Sequence, residues 1–160
     1  MKLLYEEDSW LVLINWSKPM IYENLIENES YNDDDAHLYM ITGKYLNNTP
    51  KLFYIGKTYY QYVTQRLTQV DHKIRYDQLC NHYPKHTLFV SHGTIEIEEG
   101  NRTEKRVDEI ERILIYSMNS DHTINKNNLC THGVTEQYII TNKGHKSHLP
   151  HTIGIGVFIT

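Results

Sequence analysis

FYIGKT, residues 53–58, is the stretch on which the fold turns. It ends in Gly-Lys-Thr, as a phosphate-binding P-loop does. A P-loop also needs a glycine five positions before the Gly-Lys pair, so that the backbone can wrap around phosphates. That position is Lys51, and Leu52, Phe53, Tyr54 and Ile55 fill the interval. These are strand residues, so LFYIG (52–56) reads as a strand ended by Gly56. Upstream, GKYLNNTPK (43–51) carries Asn-Asn and a proline and reads as a loop. HLYMIT (37–42) before it is a short apolar run of strand length. Strand, loop and strand at this spacing predict a hairpin.

Working outward, Thr58 is expected to cap a helix running to Tyr76. Val63, Leu67, Val70 and Ile74 would form its buried face. Cys80–Lys85 reads as a loop and TLFVSHGTIEIEE (87–99) as a strand. Thr103 is expected to cap a second helix to about Asn119. TEQYIIT and TIGIGVFIT read as two further short strands. Residues 9–28 read as partly helical, interrupted by Pro19, and NDDDA (32–36) as a solvated boundary.

Several polar residues stand out in this order. Tyr39 lies in the first strand of the hairpin and Tyr54 in the second. Arg66 lies in the following helix, Glu111 in the next one, and Asn125 in the loop beyond. Val107, Leu114 and Met118 lie one or two turns from Glu111, which puts its carboxylate in the apolar stripe of the helix. Such a placement is costly unless a cation compensates it or the side chain reaches water. Glu109, three residues from both Arg106 and Arg112, reads as a surface ion-pair partner.

The set Tyr39, YIGKT, Arg66, Glu111 within IERILI, and Asn125 resembles the GIY-YIG nuclease family. The second half of that signature is complete here, whereas HLY replaces the first half. The resemblance spans about residues 37–128. It implies an α/β (α+β) fold: a small antiparallel three-stranded core sheet flanked by helices. Residues 36–130 would form the nuclease-like domain, with an acidic extension over 1–35 and a C-terminal extension over 131–160 packing on the same domain.

The resemblance also implies metal-assisted hydrolysis of DNA phosphodiesters. Glu111 would hold one Mg²⁺ or Mn²⁺ ion, a hard cation suited to oxygen ligands. Arg66 would neutralise charge on the phosphoryl oxygens. Tyr39 or Tyr54 would orient or deprotonate the attacking water, with Lys57 as the cation that lowers the phenol's pKa. Asn125 would anchor the loop or support the metal site. Many members carry a base-assisting residue one turn after the arginine, where this chain has Val70. His72, six residues after Arg66, points elsewhere on an ideal helix. It reaches the site only if the helix ends or distorts before it, and is otherwise a solvated helix-end histidine. Lys73 does share Arg66's face.

Composition leaves these expectations open. The 160 residues fit one domain with one core. The net charge of −4 is unevenly spread: residues 1–35 carry −7 and residues 36–160 carry +3, with all ten histidines in the second part. A mildly basic body can present a face to phosphates. No apolar run is long enough to span a bilayer. Cys80 and Cys130 share no metal-binding spacing and read as free thiols, consistent with a cytoplasmic protein. His145, His148 and His151 form a repeat that could bind a transition metal or simply line a polar loop. The expected partner is DNA ahead of RNA. A homodimer, or two successive cuts, would be needed to break both strands. The alternative is a nucleic-acid-binding or interaction module that keeps the fold without the activity.

Overall fold

The computed structural model describes residues 9–27, 37–59, 61–97, 102–118, 124–125, 133–154 and 157–159. The NDDDA run and Cys130 lie outside them. Strand β1 spans Ser9–Trp16, β2 Met20–Ile21, β3 Leu38–Lys44, β4 Lys51–Lys57, β5 Thr87–Ile97, β6 Gln137–Gly144, β7 Thr152–Gly154 and β8 Val157–Ile159. Helix α1 spans Tyr22–Glu27, α2 Val63–Leu67, α3 Val70–His82 and α4 Glu104–Ser117.

The strands form one mixed sheet in the order β4-β3-β5-β1-β6-β7-β8, with β2 also on β5. The expected antiparallel trio is there as β4-β3-β5. The sheet does not stop at three strands, because β1 pairs antiparallel with β5 and parallel with β6. SWLVLINW is therefore a central strand and not a helix. Val12, Ile14 and Trp16 are buried while Leu11 and Asn15 are exposed, a two-residue period. The helical part of the 9–28 segment is confined to α1. TIGIGVFIT likewise forms two strands, β7 and β8, in place of one.

Helices cover both faces. On one face α4 lays Val107, Ile110 and Leu114 against Leu38, Met40, Ile55, Ile14 and Ile140. On the other, α1, α2 and α3 bring Leu25, Val63, Leu67 and Leu79 against Ile41, Phe53 and Val90. Each such side chain, once fully buried, contributes about 1.5–3 kcal/mol relative to exposure. Thr103 caps α4 as expected, its hydroxyl accepting from the Arg106 N–H at 3.3 Å.

The helix expected over 58–76 is two helices. Thr58 does not cap it; its N–H donates to the His37 carbonyl. Helix α2 starts at Val63, with the Gln65 side chain accepting from the Tyr62 N–H. Gln69 then adopts an extended backbone (ψ 152°) before α3 begins. That break ends the expected apolar face: Val63 and Leu67 are buried, but Val70 and Ile74 are exposed. Helix α3 also runs on through Cys80 to His82, where a loop was expected.

Glu109 is another correction. It is buried and accepts from Tyr138 Oη at 2.6 Å and from Thr135 N and Oγ1 at 3.0 and 2.7 Å. Arg106 pairs instead with Glu136 at 3.0 Å. Burial raises the Glu109 carboxyl, but these hydrogen bonds outweigh it and hold it below the usual value. No helix among the described residues is long and apolar enough to cross a membrane.

Candidate active site

The site lies where β3 begins and β4 ends. Tyr39 stands opposite Gly56, and Ile41 opposite Tyr54. The pleat therefore puts both tyrosines on one face, with ring centroids 5.9 Å apart. Gly56 neither ends the strand nor turns the backbone. It sits inside β4 opposite Tyr39, and it is not among the described glycines with positive φ.

The break at Gln69 decides what joins the tyrosines. On a continuous helix, a residue nine positions after Arg66 would point about 180° away from it. The break redirects α3, and His72 and Arg75 turn towards the tyrosine pair. His72 is buried with Nε2 3.1 Å from Tyr39 Oη, so it is not a solvated helix-end residue. Its ring lies 5.9 Å from that of Tyr54. The Arg75 guanidinium sits over the Tyr54 ring at 4.1 Å, and its Nη1 is 2.8 Å from His72 Nδ1. Arg75 escaped the sequence reading because it made sense only after the helix was broken. The faint signal was Asp71, an acid suited to the first turn of a new helix.

Burial dominates the protonation states. It pushes the Tyr39 hydroxyl well up, helped by Tyr54 and opposed by Arg66 and Arg75. Burial also raises Tyr54; Arg75 and the Tyr39 hydrogen bond pull it down, and Glu111 adds to the rise. Burial, then Arg66 and Arg75, push His72 down to about 4 against a weaker upward pull from Asp71. His72 is therefore neutral near pH 7.

Glu111 comes from the other face of the sheet. Its carboxylate accepts from the Lys57 N–H at the exposed end of β4. Burial pushes it up to about 6, against the downward pull of Lys57, Arg66 and Arg112. Asn125 continues the same edge: its Oδ1 accepts from the Ile55 N–H at 3.0 Å and its Nδ2 donates to the Ile55 carbonyl at 2.8 Å. The Ile124 N–H donates to the Phe53 carbonyl at 2.7 Å. Glu111, Asn125 and Ile124 thus occupy backbone groups that an edge strand would otherwise leave open. Asn125 is bound to the backbone of the YIG strand.

Arg66 and Lys57 are less free than expected. Arg66 bonds the Gln69 side chain and lies 3.5 Å from Asp71, yet its charge acts on Tyr39, His72 and Glu111. The Lys57 ammonium is ion-paired with Asp108. The cations that pull the Tyr54 phenol down are Arg75, whose guanidinium lies over its ring, and Arg66.

A divalent ion fits this donor set in one way. Glu111 offers one buried carboxylate, and among the described residues no three His, Cys, Asp or Glu side chains cluster to hold a metal. A hard cation that keeps most of its waters needs one such ligand. Among the described residues the His145–His148–His151 repeat forms no metal-binding group; His148 Nε2 bonds the Pro50 carbonyl at 2.7 Å. That loop borders a cleft of about 440 Å³ with Met40 and Thr42 in its lining, which are not among the site residues.

The chain matches no protein-family model, no curated protein and no solved structure. The resemblance to GIY-YIG nucleases therefore rests on the sequence motifs alone.

Proposed function

We propose that the chain is a divalent-metal-dependent DNA endonuclease of the GIY-YIG type. One observation carries this reading. Two tyrosines, a histidine, two arginines and a buried glutamate, drawn from β3, β4, α2, α3 and α4, converge on one end of one strand pair.

Phosphodiester hydrolysis needs an oriented water, a proton acceptor and positive charge where the phosphoryl oxygens gain electrons. Tyr54, the more accessible of the two phenols, orients the attacking water and takes its proton when ionised. Tyr39 donates to Tyr54, which stabilises the phenolate form. Arg66 offers its planar fork to the phosphate. Glu111 is the protein ligand for a Mg²⁺ or Mn²⁺ ion, which when bound supplies charge neutralisation at the scissile phosphate. Asn125 keeps the β4 edge in register beneath these groups. The cysteine usage fits a reducing, cytoplasmic compartment. One such site cuts one strand, so a homodimer or two successive events would break a duplex.

A non-cleaving nucleic-acid-binding module is the second reading. It is favoured by the Lys57–Asp108 pair and by a Tyr54 phenol that burial keeps protonated. Plasmid incubated with Mg²⁺, Mn²⁺ or EDTA separates the two. The nuclease reading expects metal-dependent nicking that is lost in Glu111→Ala and Tyr54→Phe. Salt-sensitive duplex binding without nicking would establish the module instead.

A further inference from the structure

We infer that Arg75 is a positioning residue of this site: it locks the His72 ring in one tautomer, and so sets the donor direction of the Tyr39–Tyr54 pair. As a statement about catalysis, the inference rests on the nuclease reading; as a statement about the ring, it stands alone.

Arginine carries five N–H donors and no acceptor. Its Nη1 lies 2.8 Å from His72 Nδ1 and 3.5 Å from Nε2, so Nδ1 is the better placed of the two nitrogens to present a lone pair. The neutral ring then carries its proton on Nε2, the nitrogen nearer Tyr39 Oη, at 3.1 Å against 3.4 Å for Nδ1. Asp71 Oδ2, at 3.6 Å from the same nitrogen, is beyond hydrogen-bond distance. Tyr39 Oη receives that proton and turns its own O–H to Tyr54. The chain Arg75, His72, Tyr39, Tyr54 thus runs in one direction.

The same guanidinium lies 4.1 Å over the Tyr54 ring. One half-buried side chain therefore touches both ends of the chain. A lysine could donate to Nδ1, but it lacks the planar face that stacks on a phenol. Arg75 itself is bound to His72 and the ring face, so its role is exerted through them.

The test reads the ring directly. Long-range ¹H–¹⁵N spectra of the ¹⁵N-labelled full chain at pH 7, with His72 identified by its loss in His72→Gln, should show the Nε2–H tautomer. Arg75→Met should shift His72 towards the other tautomer and lower kcat for Mg²⁺-dependent nicking roughly tenfold or more, with KM little changed. Arg75→Lys should keep the tautomer and recover part of kcat, and it provides the reading if Arg75→Met does not fold. A wild-type His72 protonated on Nδ1 would overturn the inference, as would an Arg75→Met spectrum identical to wild type. A shifted tautomer with unaltered nicking would overturn the positioning role. The expected spectra from a protein that never nicks DNA would uphold the tautomer lock and overturn the nuclease reading.

Discussion

The phenol of Tyr39 occupies the space that a side chain at Gly56 would need. A Cβ built there would stand 2.4 Å from Tyr39 Cζ and Oη and 2.7 Å from Tyr54 Cε1. The glycine of the YIG triplet is thus a seat for the other tyrosine. Gly56→Ala should push Tyr39 aside, cost about 1–3 kcal/mol through overpacking and reduce nicking by about 100-fold through misplacement. Thermal melts and plasmid nicking check this. Wild-type nicking in a folded Gly56→Ala protein would disprove the seat.

Glu111 should destabilise the metal-free fold at neutral pH. Its carboxyl is pushed from 4.5 up to about 6, chiefly by burial. The fold therefore prefers the protonated form; that contribution is full below about pH 4.5 and is lost as pH rises through about 6. Glu111→Gln removes the charge at little change in shape. It should gain on the order of 2 kcal/mol at pH 8 in EDTA and almost nothing at pH 4.5. Mn²⁺ should raise the melting temperature of wild type and not of this variant. A variant that melts below wild type at pH 8 in EDTA would contradict the account.

His72 acts with the opposite sign. Its imidazole is pushed from 6.5 down to about 4, first by burial and then by Arg66 and Arg75. Its stabilising contribution is full above pH 6.5 and is lost as pH falls towards 4. Urea unfolding of wild type should weaken across that window. In His72→Gln the decline should be shallower, because nothing there is forced to charge. Parallel slopes for the two proteins would reject this.

Asn125 should matter for the strand more than for the reaction. Asn125→Asp keeps an acceptor for the Ile55 N–H but loses the donor to the Ile55 carbonyl and adds a buried charge. A loss of about 1–3 kcal/mol is expected for each polar group left unpaired. Amide exchange at Ile55 should accelerate, and nicking should fall only as far as the folded fraction does. A stable Asn125→Asp protein with abolished nicking would move Asn125 into the reaction itself.

The hairpin was legible because its signals are local: two short apolar runs around Asn-Asn and Pro50. The buried placement of Glu111 was legible for a similar reason, since Val107, Leu114 and Met118 mark the stripe within four residues per turn. SWLVLINW was misread because a short apolar run fits either period, and its two partner strands lie far along the chain. The break between α2 and α3 was missed because no glycine or proline marks it; Gln69, itself a good helix former, takes an extended backbone between Thr68 and Val70. That one residue separated the sequence reading from the site, since His72 and Arg75 reach the tyrosines only beyond it. Glu109 was misplaced because local arginines outshone Thr135 and Tyr138, whose approach depends on β6.

Strand β1 pairs along its whole length with β6, from Ser9 beside Gln137 to Trp16 beside Gly144. During synthesis β1 must wait for β6, which is made only after β5 and α4. Closing so large a loop is slow, because its entropy is lost before any contact repays it. Every residue of the tyrosine–histidine–glutamate cluster is translated before that partner exists. The unfinished chain holds β5 and α4 with one side of β1 bare, an open edge that invites pairing with other chains. Refolding from denaturant should therefore be concentration-sensitive, and should show a slow phase that reports the arrival of β6.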